Sequence, residues 1–187
     1  IHAYPKGLQV GGGISQDNAL EWIEQGASHI IVTSCLFNQR GQFVLAKLQE
    51  LAEKIGKYKI VIDLSCKKTS SGWIVSTDGW QTLTELAIDA NTIRGLEAHC
   101  SEFLIHSADA EGLRAGMDEQ LIRLLGSICN LPTTYAGGGR SIEDLEITRT
   151  LSSGKIDLSI GSALDIFGGN GITLQECVYW NQRAQIT

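Results

Sequence analysis

The chain has 187 residues, 43% of them apolar, and a formal net charge of −6, values typical of one globular domain. The acidic balance, with no basic cluster longer than Lys67-Lys68, excludes a nucleic-acid groove, which needs a basic face against phosphates. No apolar run approaches the ~18 residues of a membrane span, so we expect no membrane partner. Five widely spaced cysteines without a CxxC motif predict buried, reduced thiols and no metal site.

Short apolar runs alternate with amphipathic stretches along the chain. The predicted strands cover residues 8–10, 29–33, 59–64, 102–106, 132–136 and 156–160. The predicted helices cover residues 15–26, 42–55, 83–98, 117–128, 141–152 and 173–184, with Ser15 and Ser141 as N-caps. A long polar loop is predicted from residue 65 to about residue 82. Six βα units in a row indicate an α/β fold, either an open doubly wound parallel sheet or a closed barrel.

An internal repeat favours the barrel. VGGGISQDNA at residues 10–19 resembles AGGGRSIEDL at residues 136–145, and each segment leads into a predicted helix and strand. Two such copies indicate a duplicated half-barrel, with residues 7–34 matching about 133–162.

The repeat predicts that residues 1–187 are a single domain, the C-terminal three-quarters of a (β/α)₈ TIM barrel. The chain would supply strands 3–8 with their helices. Barrels of this kind take about 250 residues, so we expect the first two βα units to be missing.

Glycine runs close two predicted strands and precede predicted helices, at Gly11–Gly13 and Gly137–Gly139. Backbone N–H groups at such a position bind anions, and glycine lets a phosphate approach closely. The second loop is joined by Ser162 after the last strand, where many barrels bind phosphate. Because such a set of anion-binding groups occurs twice, we expect a small-molecule ligand with a phosphate at each end. The alternative is that the glycines only form tight turns.

Three further side chains lie where a barrel carries its ligands. Asp63 ends an otherwise apolar strand, and such surroundings favour a protonated carboxyl, as a general acid needs. His106 ends the next strand and could hydrogen-bond a substrate oxygen. Trp80 lies in the long loop and could stack on a flat heterocycle. The alternatives are a loop-capping aspartate, a packing histidine and a core tryptophan.

The motifs together resemble a known family. The segments LQVGGGI, IVTS, VIDLSCKK, GWQT, EFLIH, DAEG, TYAGGG and IGSALDIFGG, spread over residues 7 to about 181, resemble the eukaryotic branch of the HisA isomerases of histidine biosynthesis. The resemblance implies an Amadori rearrangement, in which the aminoaldose phosphoribosylformimino-aminoimidazole carboxamide ribonucleotide becomes its phosphoribulosyl isomer. It implies no metal and no organic cofactor.

The resemblance also assigns roles to residues. Asp63 becomes the general acid on strand 5, His106 a polar substrate contact, and Trp80 the aromatic on the loop that folds over the substrate. The residues expected to hold the two phosphates are Gly12, Gly13, Thr33 and Ser34 for one, and Gly137, Gly138, Gly161 and Ser162 for the other. The family's general base, an aspartate on strand 1, maps onto no residue here. We therefore expect these 187 residues alone to be inactive.

Two other functions stay open at this point. One is a HisF-like cyclase, which shares the duplicated barrel and the strand-5 aspartate but needs ammonia. The other is a non-catalytic phosphate-binding barrel, favoured only by the absent strand-1 aspartate. For the isomerase we expect a monomer when full length. We expect a cytoplasmic location, with import into an organelle left open.

Overall fold

The computed structural model describes residues 1–110 and 116–184. They form an α/β fold in two compact units, Ile1–Ile105 with Ile128–Thr133, and the described parts of His106–Ser127 and Thr134–Thr187. Within the described ranges, no helix combines the length and the apolar character needed to cross a membrane.

The described residues form eight strands and six α-helices that mostly alternate. In chain order they are β1 (Gln9–Gly11), α1 (Ala19–Glu24), β2 (His29–Val32), α2 (Leu45–Ile55), β3 (Ile60–Thr69), β4 (Gly72–Thr77), β5 (Thr82–Ala87), α3 (Ala90–Glu97), β6 (Glu102–Ser107), α4 (Glu119–Ile128), β7 (Thr133–Ala136), α5 (Ile142–Ser152), β8 (Ile156–Ser159) and α6 (Leu174–Ala184). The six strands predicted from apolar runs are confirmed within one or two residues at most ends, except that β3 extends five residues further.

A parallel sheet is the centre of the first unit. β1 pairs in parallel with β2, and β2 with β3, while β6 lies on the other side of β3. The consecutive residues Ile60, Val61 and Ile62 of β3 are fully buried, as expected for a parallel strand covered on both faces. Helix α2 buries Leu48 and Leu51, which lie three residues apart on one helical face.

The predicted polar loop after β3 is wrong, because much of this segment forms strands. β3 continues to Thr69 and pairs antiparallel with β4, which in turn pairs antiparallel with β5. The predicted helix at residues 83–98 is therefore reduced to α3, which begins after the N-cap Asp89. The turn sequences TSSG and TDG are hairpin signals that could have indicated these strands.

Two further predicted helices begin several residues later than expected. Ser15 does not cap α1, since the N-cap is Asn18 and the helix starts at Ala19. Residues 15–18 instead form a turn, in which the side chain of Asn18 bonds to the backbone of Ser15 and Gly13. Helix α2 starts at Leu45 because the preceding residues extend, with Phe37 and Phe43 in an antiparallel bridge.

The second unit contains β8, the helices α5 and α6, and α4 apart from its last residue. A small core of Leu145, Leu164 and Ile172 packs against half-buried apolar side chains that include Trp180. The predicted N-cap Ser141 is confirmed, because its hydroxyl accepts the backbone N–H of Asp144. Helix α5 therefore begins almost directly after the glycine run.

The cysteines are all free thiols. Burial is confirmed for Cys66, Cys100 and Cys129, whereas Cys35 and Cys177 are only half-buried. Burial raises the pKa of the Cys100 thiol to about 12.

We expect Cys100 to resist alkylation by iodoacetamide at about pH 8 in the native protein. The thiolate is the nucleophile, and a thiol with so high a pKa stays protonated at that pH. Peptide mass mapping before and after unfolding in urea measures this, with labelling expected only after unfolding. Fast labelling of Cys100 in the folded protein would contradict the assignment.

Candidate functional site

The candidate acid Asp63 lies within β3, where its strand neighbours are apolar. Ile62 and Leu64 are fully buried, whereas the side chain of Asp63 is half-buried. The pleat of a strand turns successive side chains to opposite faces. Asp63 is thus held on a rigid, buried strand with its carboxyl partly accessible.

Thr33 is the partner that the structure adds to Asp63. The parallel register aligns Val32 with Ile62, so the residues that follow each of them come side by side. The hydroxyl of Thr33 donates a hydrogen bond to Oδ2 of Asp63 at 3.0 Å. Sequence analysis assigned Thr33 to phosphate binding alone and gave no signal for this contact, which depends on the pairing register of two strands.

The first glycine loop follows β1 at the same sheet edge. β1, β2 and β3 run parallel, so their carboxyl ends meet there, and the loop lies on the side of Thr33 and Asp63. Gly12 and Gly13 have φ values of +90° and +68°, a region that favours glycine. Both are exposed, and a Cβ at either would meet no atom within 4 Å.

Ser34 is also exposed and begins a short 3₁₀-helix directly after Thr33. The structure therefore brings the four residues predicted for the first phosphate to one edge of one sheet. The expected helix N-terminus is not part of this edge, because α1 begins only at Ala19. Backbone N–H groups of the glycines and the Ser34 hydroxyl are the donors available there.

The second glycine loop lines a cavity of about 360 Å³ within the second unit. All four residues predicted for the second phosphate line its wall, namely Gly137, Gly138, Gly161 and Ser162. The other lining residues include Arg140, Ser141, Asn170 and the small residues Gly139, Ala163 and Gly171. The cavity is rich in backbone donors and hydroxyls, and it lies at the start of α5. These are the groups that bind phosphate in proteins.

The glycines of this cavity serve different purposes. A Cβ at Gly138 would collide with the backbone carbonyl of Gly116, and one at Gly137 would lie 2.9 Å from the carbonyl oxygen of Ser107. These two are needed by the protein's own packing. Gly161 lines the cavity and is exposed, and a Cβ there would meet no atom within 4 Å, so the protein's own packing does not require a glycine at this position.

Arg140 and Asn170 are cavity residues that sequence analysis did not name. Arg140 directly follows the glycine run, and Asn170 lies in the GGNG segment after β8. A cation next to a glycine loop was a readable signal, since guanidinium groups pair with phosphates. An asparagine in a glycine-rich loop gave no comparable signal.

The other predicted contacts are placed as follows. His106 is the fifth residue of β6, half-buried, and belongs to the second unit. Trp80 lies within the turn between β4 and β5, with φ of +70°, an uncommon backbone conformation for a large residue. Of the DAEG motif, Asp109 is exposed, while Glu111 and Gly112 lie outside the described residues.

No group of three or more histidine, cysteine, aspartate or glutamate side chains in the described ranges is arranged to hold a metal ion. The donors gathered at the two glycine loops are N–H and O–H groups, which suit anions.

Comparison with known proteins gives a consistent result. Residues 2–170 match the family described as histidine biosynthesis protein. A Neurospora crassa protein is 52% identical over 98% of this chain and 72% of its own length. A Saccharomyces cerevisiae protein is 50% identical over 96% of this chain and 70% of its own length. A Medicago truncatula protein is 46% identical over 100% of this chain and 59% of its own length.

All three relatives are named 1-(5-phosphoribosyl)-5-((5-phosphoribosylamino)methylideneamino)imidazole-4-carboxamide isomerase, and the Medicago protein is described as chloroplastic. These names do not favour a cyclase or a non-catalytic module. The chain spans roughly 60–70% of the relatives' lengths, and the expectation of two missing βα units stays a prediction.

Proposed function

The chain belongs to the family of histidine biosynthesis proteins, and we propose that it carries the isomerase chemistry for which its relatives are named. The substrate is the bis-phosphorylated aminoaldose, and the product is its aminoketose isomer. The observation that carries the proposal is the pair of repeat-related glycine loops, one beside Asp63 and one around a donor-rich cavity. A ligand with two phosphates matches two such loops.

The proposed architecture is a (β/α)₈ barrel. Its strands 3–8 are, in order, β1, β2, β3, β6, β7 and β8, and β4 and β5 are an inserted antiparallel pair. The repeat and the parallel pairing of β1, β2 and β3 support this assignment. The glycine loops then lie at the carboxyl ends of strands, where barrel enzymes bind their substrates.

Asp63 is the proposed acid of the reaction. It donates a proton to the ribose ring oxygen, the C1–O bond breaks, and a protonated imine forms at C1. A base then removes the proton at C2 to give an enaminol. The enaminol takes up a proton at C1 while its C2 hydroxyl loses one, which gives the ketose. Among the described residues, none is assigned the role of this base, which the resemblance places on the family's first strand.

The role of the two glycine loops in this mechanism is to position the substrate. Holding both ends of the substrate fixes the ribose against the acid and turns the reaction into a step within one complex, which lowers the entropic barrier. The N–H groups of Gly12 and Gly13 and the hydroxyl of Ser34 hold one phosphate in this account. The cavity around Gly161 and Ser162 holds the other.

Turnover of the purified protein, as its source produces it, tests the proposal. The two isomers have the same mass, so chromatography is used to separate them and to follow the loss of aldose and the gain of ketose. We expect conversion without added ammonia, metal or organic cofactor. Failure to convert the aldose, together with ammonia-dependent consumption of the ketose to a product of different mass, would identify a cyclase. Saturable binding without conversion of either isomer would identify the non-catalytic alternative.

Thr33→Val is expected to lower kcat about tenfold and to change KM less. The valine cannot donate to Asp63, so the carboxyl loses one orienting contact and misplaced reacting groups slow catalysis. Thr33→Ser keeps a hydroxyl and is the matched control, with kcat expected within about threefold of wild type. A raised KM with unchanged kcat in Thr33→Val would assign Thr33 to phosphate binding alone.

A further inference from the structure

Each glycine loop is fastened by one side chain, and the two side chains occupy matching positions of the repeat. Asn18 and Asp144 are each the fifth residue after the last glycine of the run. Both bond to the backbone between the glycines and the following helix. Asparagine and aspartate commonly make such local bonds to nearby backbone groups.

Asn18 holds the first loop through two bonds. Its Oδ1 accepts the backbone N–H of Ser15 at 2.9 Å, and its Nδ2 donates to the carbonyl oxygen of Gly13 at 2.9 Å. The amide group therefore fixes both the last glycine and the residue that leads into α1. The glycine carbonyl is kept turned toward Asn18, which constrains the peptide groups of the loop.

Asp144 holds the second loop from a more buried position. It is 9% exposed, and its Oδ2 accepts the backbone N–H of Arg140 at 2.9 Å. Its own backbone N–H donates to the hydroxyl of Ser141 at 3.4 Å. Arg140 is the residue directly after the glycine run, so the carboxylate fixes the end of the loop that lines the cavity.

The two side chains differ in chemistry. An amide donates and accepts, whereas an ionised carboxylate only accepts. A carboxylate also places a negative charge near the loop, and that charge opposes a bound phosphate. Asp144 would therefore favour anion binding only through the loop geometry that it imposes, because its charge opposes a bound anion.

We propose that Asn18 and Asp144 are positioning residues that hold the two glycine loops in the conformation that accepts phosphate. Asn18 acts through a donor and an acceptor, and Asp144 through an acceptor alone. This inference rests on the proposed function in treating both loops as phosphate sites. It predicts that exchanging the two residue types has unequal effects at the two positions.

The test is a titration of the ¹⁵N-glycine-labelled protein, in the full form that its source produces, with inorganic phosphate, followed by NMR. Amide signals of Gly11–Gly13 report the first loop, and those of Gly137–Gly139 report the second. Asp144→Asn keeps the acceptor and removes the charge, so we expect phosphate affinity at the second loop to be equal or up to about threefold higher. Asn18→Asp loses the donor and adds a charge, so we expect affinity at the first loop to fall about fivefold or more.

Alanine at each position completes the comparison. Asn18→Ala and Asp144→Ala should each weaken phosphate binding at their own loop by about fivefold and leave the other loop unchanged. The inference is overturned if Asp144→Asn weakens binding as much as alanine is expected to, or if Asn18→Asp has no effect. The two exchange variants decide the matter even if Asp144→Ala does not fold.

The same experiment separates this inference from the proposed function. Phosphate binding at the loops does not require turnover, so the affinity pattern is measured independently of isomerase activity. If the variants give the expected phosphate affinities but the protein does not isomerise the substrate, the proposed reaction is contradicted and the positioning roles stand. Isomerase activity with no effect of any Asn18 or Asp144 variant would remove the positioning roles alone.

Discussion

Asp63→Asn is expected to lower kcat by about 10²–10⁴-fold, the range supplied by a positioned general acid. The amide cannot deliver a proton to the ribose ring oxygen, so ring opening loses its catalyst. Its oxygen can still accept the Thr33 hydroxyl, which bonds to Oδ2 at 3.0 Å in the parent protein, so the local geometry is kept. KM is therefore expected to change by less than about threefold. Steady-state kinetics on the protein as its source produces it measures both constants.

A matched control uses another aspartate on a strand. Asp157 lies exposed near the amino end of β8, away from the carboxyl ends where the glycine loops lie. Asp157→Asn makes the same chemical change, and kcat should stay within about twofold of wild type, as for surface substitutions in general. A kcat loss in Asp157→Asn equal to that in Asp63→Asn would show a general charge effect. A rise in KM with intact kcat in Asp63→Asn would make Asp63 a substrate-positioning group.

Gly161→Val is expected to raise KM for the bis-phosphorylated substrate by about tenfold or more, with a smaller effect on kcat. The valine side chain would project into the open space of the cavity that Gly161 lines and displace the phosphate from its donors. Losing one hydrogen bond to a charged group costs about 1.5–3 kcal/mol, and each 1.4 kcal/mol is about tenfold in affinity. Because a Cβ at Gly161 meets no atom within 4 Å, the fold should be retained.

Gly161 is a better test of the cavity than Gly138. A side chain at Gly138 would strike the carbonyl of Gly116, so weaker binding there would report a damaged loop as readily as a blocked phosphate. Gly95→Val is the matched control, because Gly95 is exposed on α3 and also has open space around its missing Cβ. We expect KM to be unchanged in Gly95→Val. Unchanged KM in Gly161→Val as well would remove the cavity from the phosphate assignment.

The sequence was most informative where one residue type has one physical use. Apolar β-branched runs such as Ile60–Ile62 predict buried strands, and this run forms the start of β3. The glycine runs indicated both loops, and the four residues predicted for the second loop line a single cavity. The Ser141 cap was also readable, because a hydroxyl before a helix has few other roles.

The missed features depend on how segments pair. The bond between Thr33 and Asp63 requires the register of β2 against β3, which short-range patterns do not contain. β4 and β5 were missed because their apolar residues form only short runs among Thr, Ser and Gly. They are stabilised by pairing with β3 and with each other. The prediction for α1 began too early because the side chain of Asn18 bonds back to Ser15, and such a local bond competes with helix formation.

The most direct test of the account is a measurement of kcat and KM for the isomerisation in wild type, Asp63→Asn and Gly161→Val. The account predicts that the chemistry and the phosphate contact separate: one variant loses kcat by about 10²-fold or more with little change in KM. The other raises KM about tenfold or more and keeps most of kcat. Turnover that persists in Asp63→Asn, together with unchanged KM in Gly161→Val, would contradict the account.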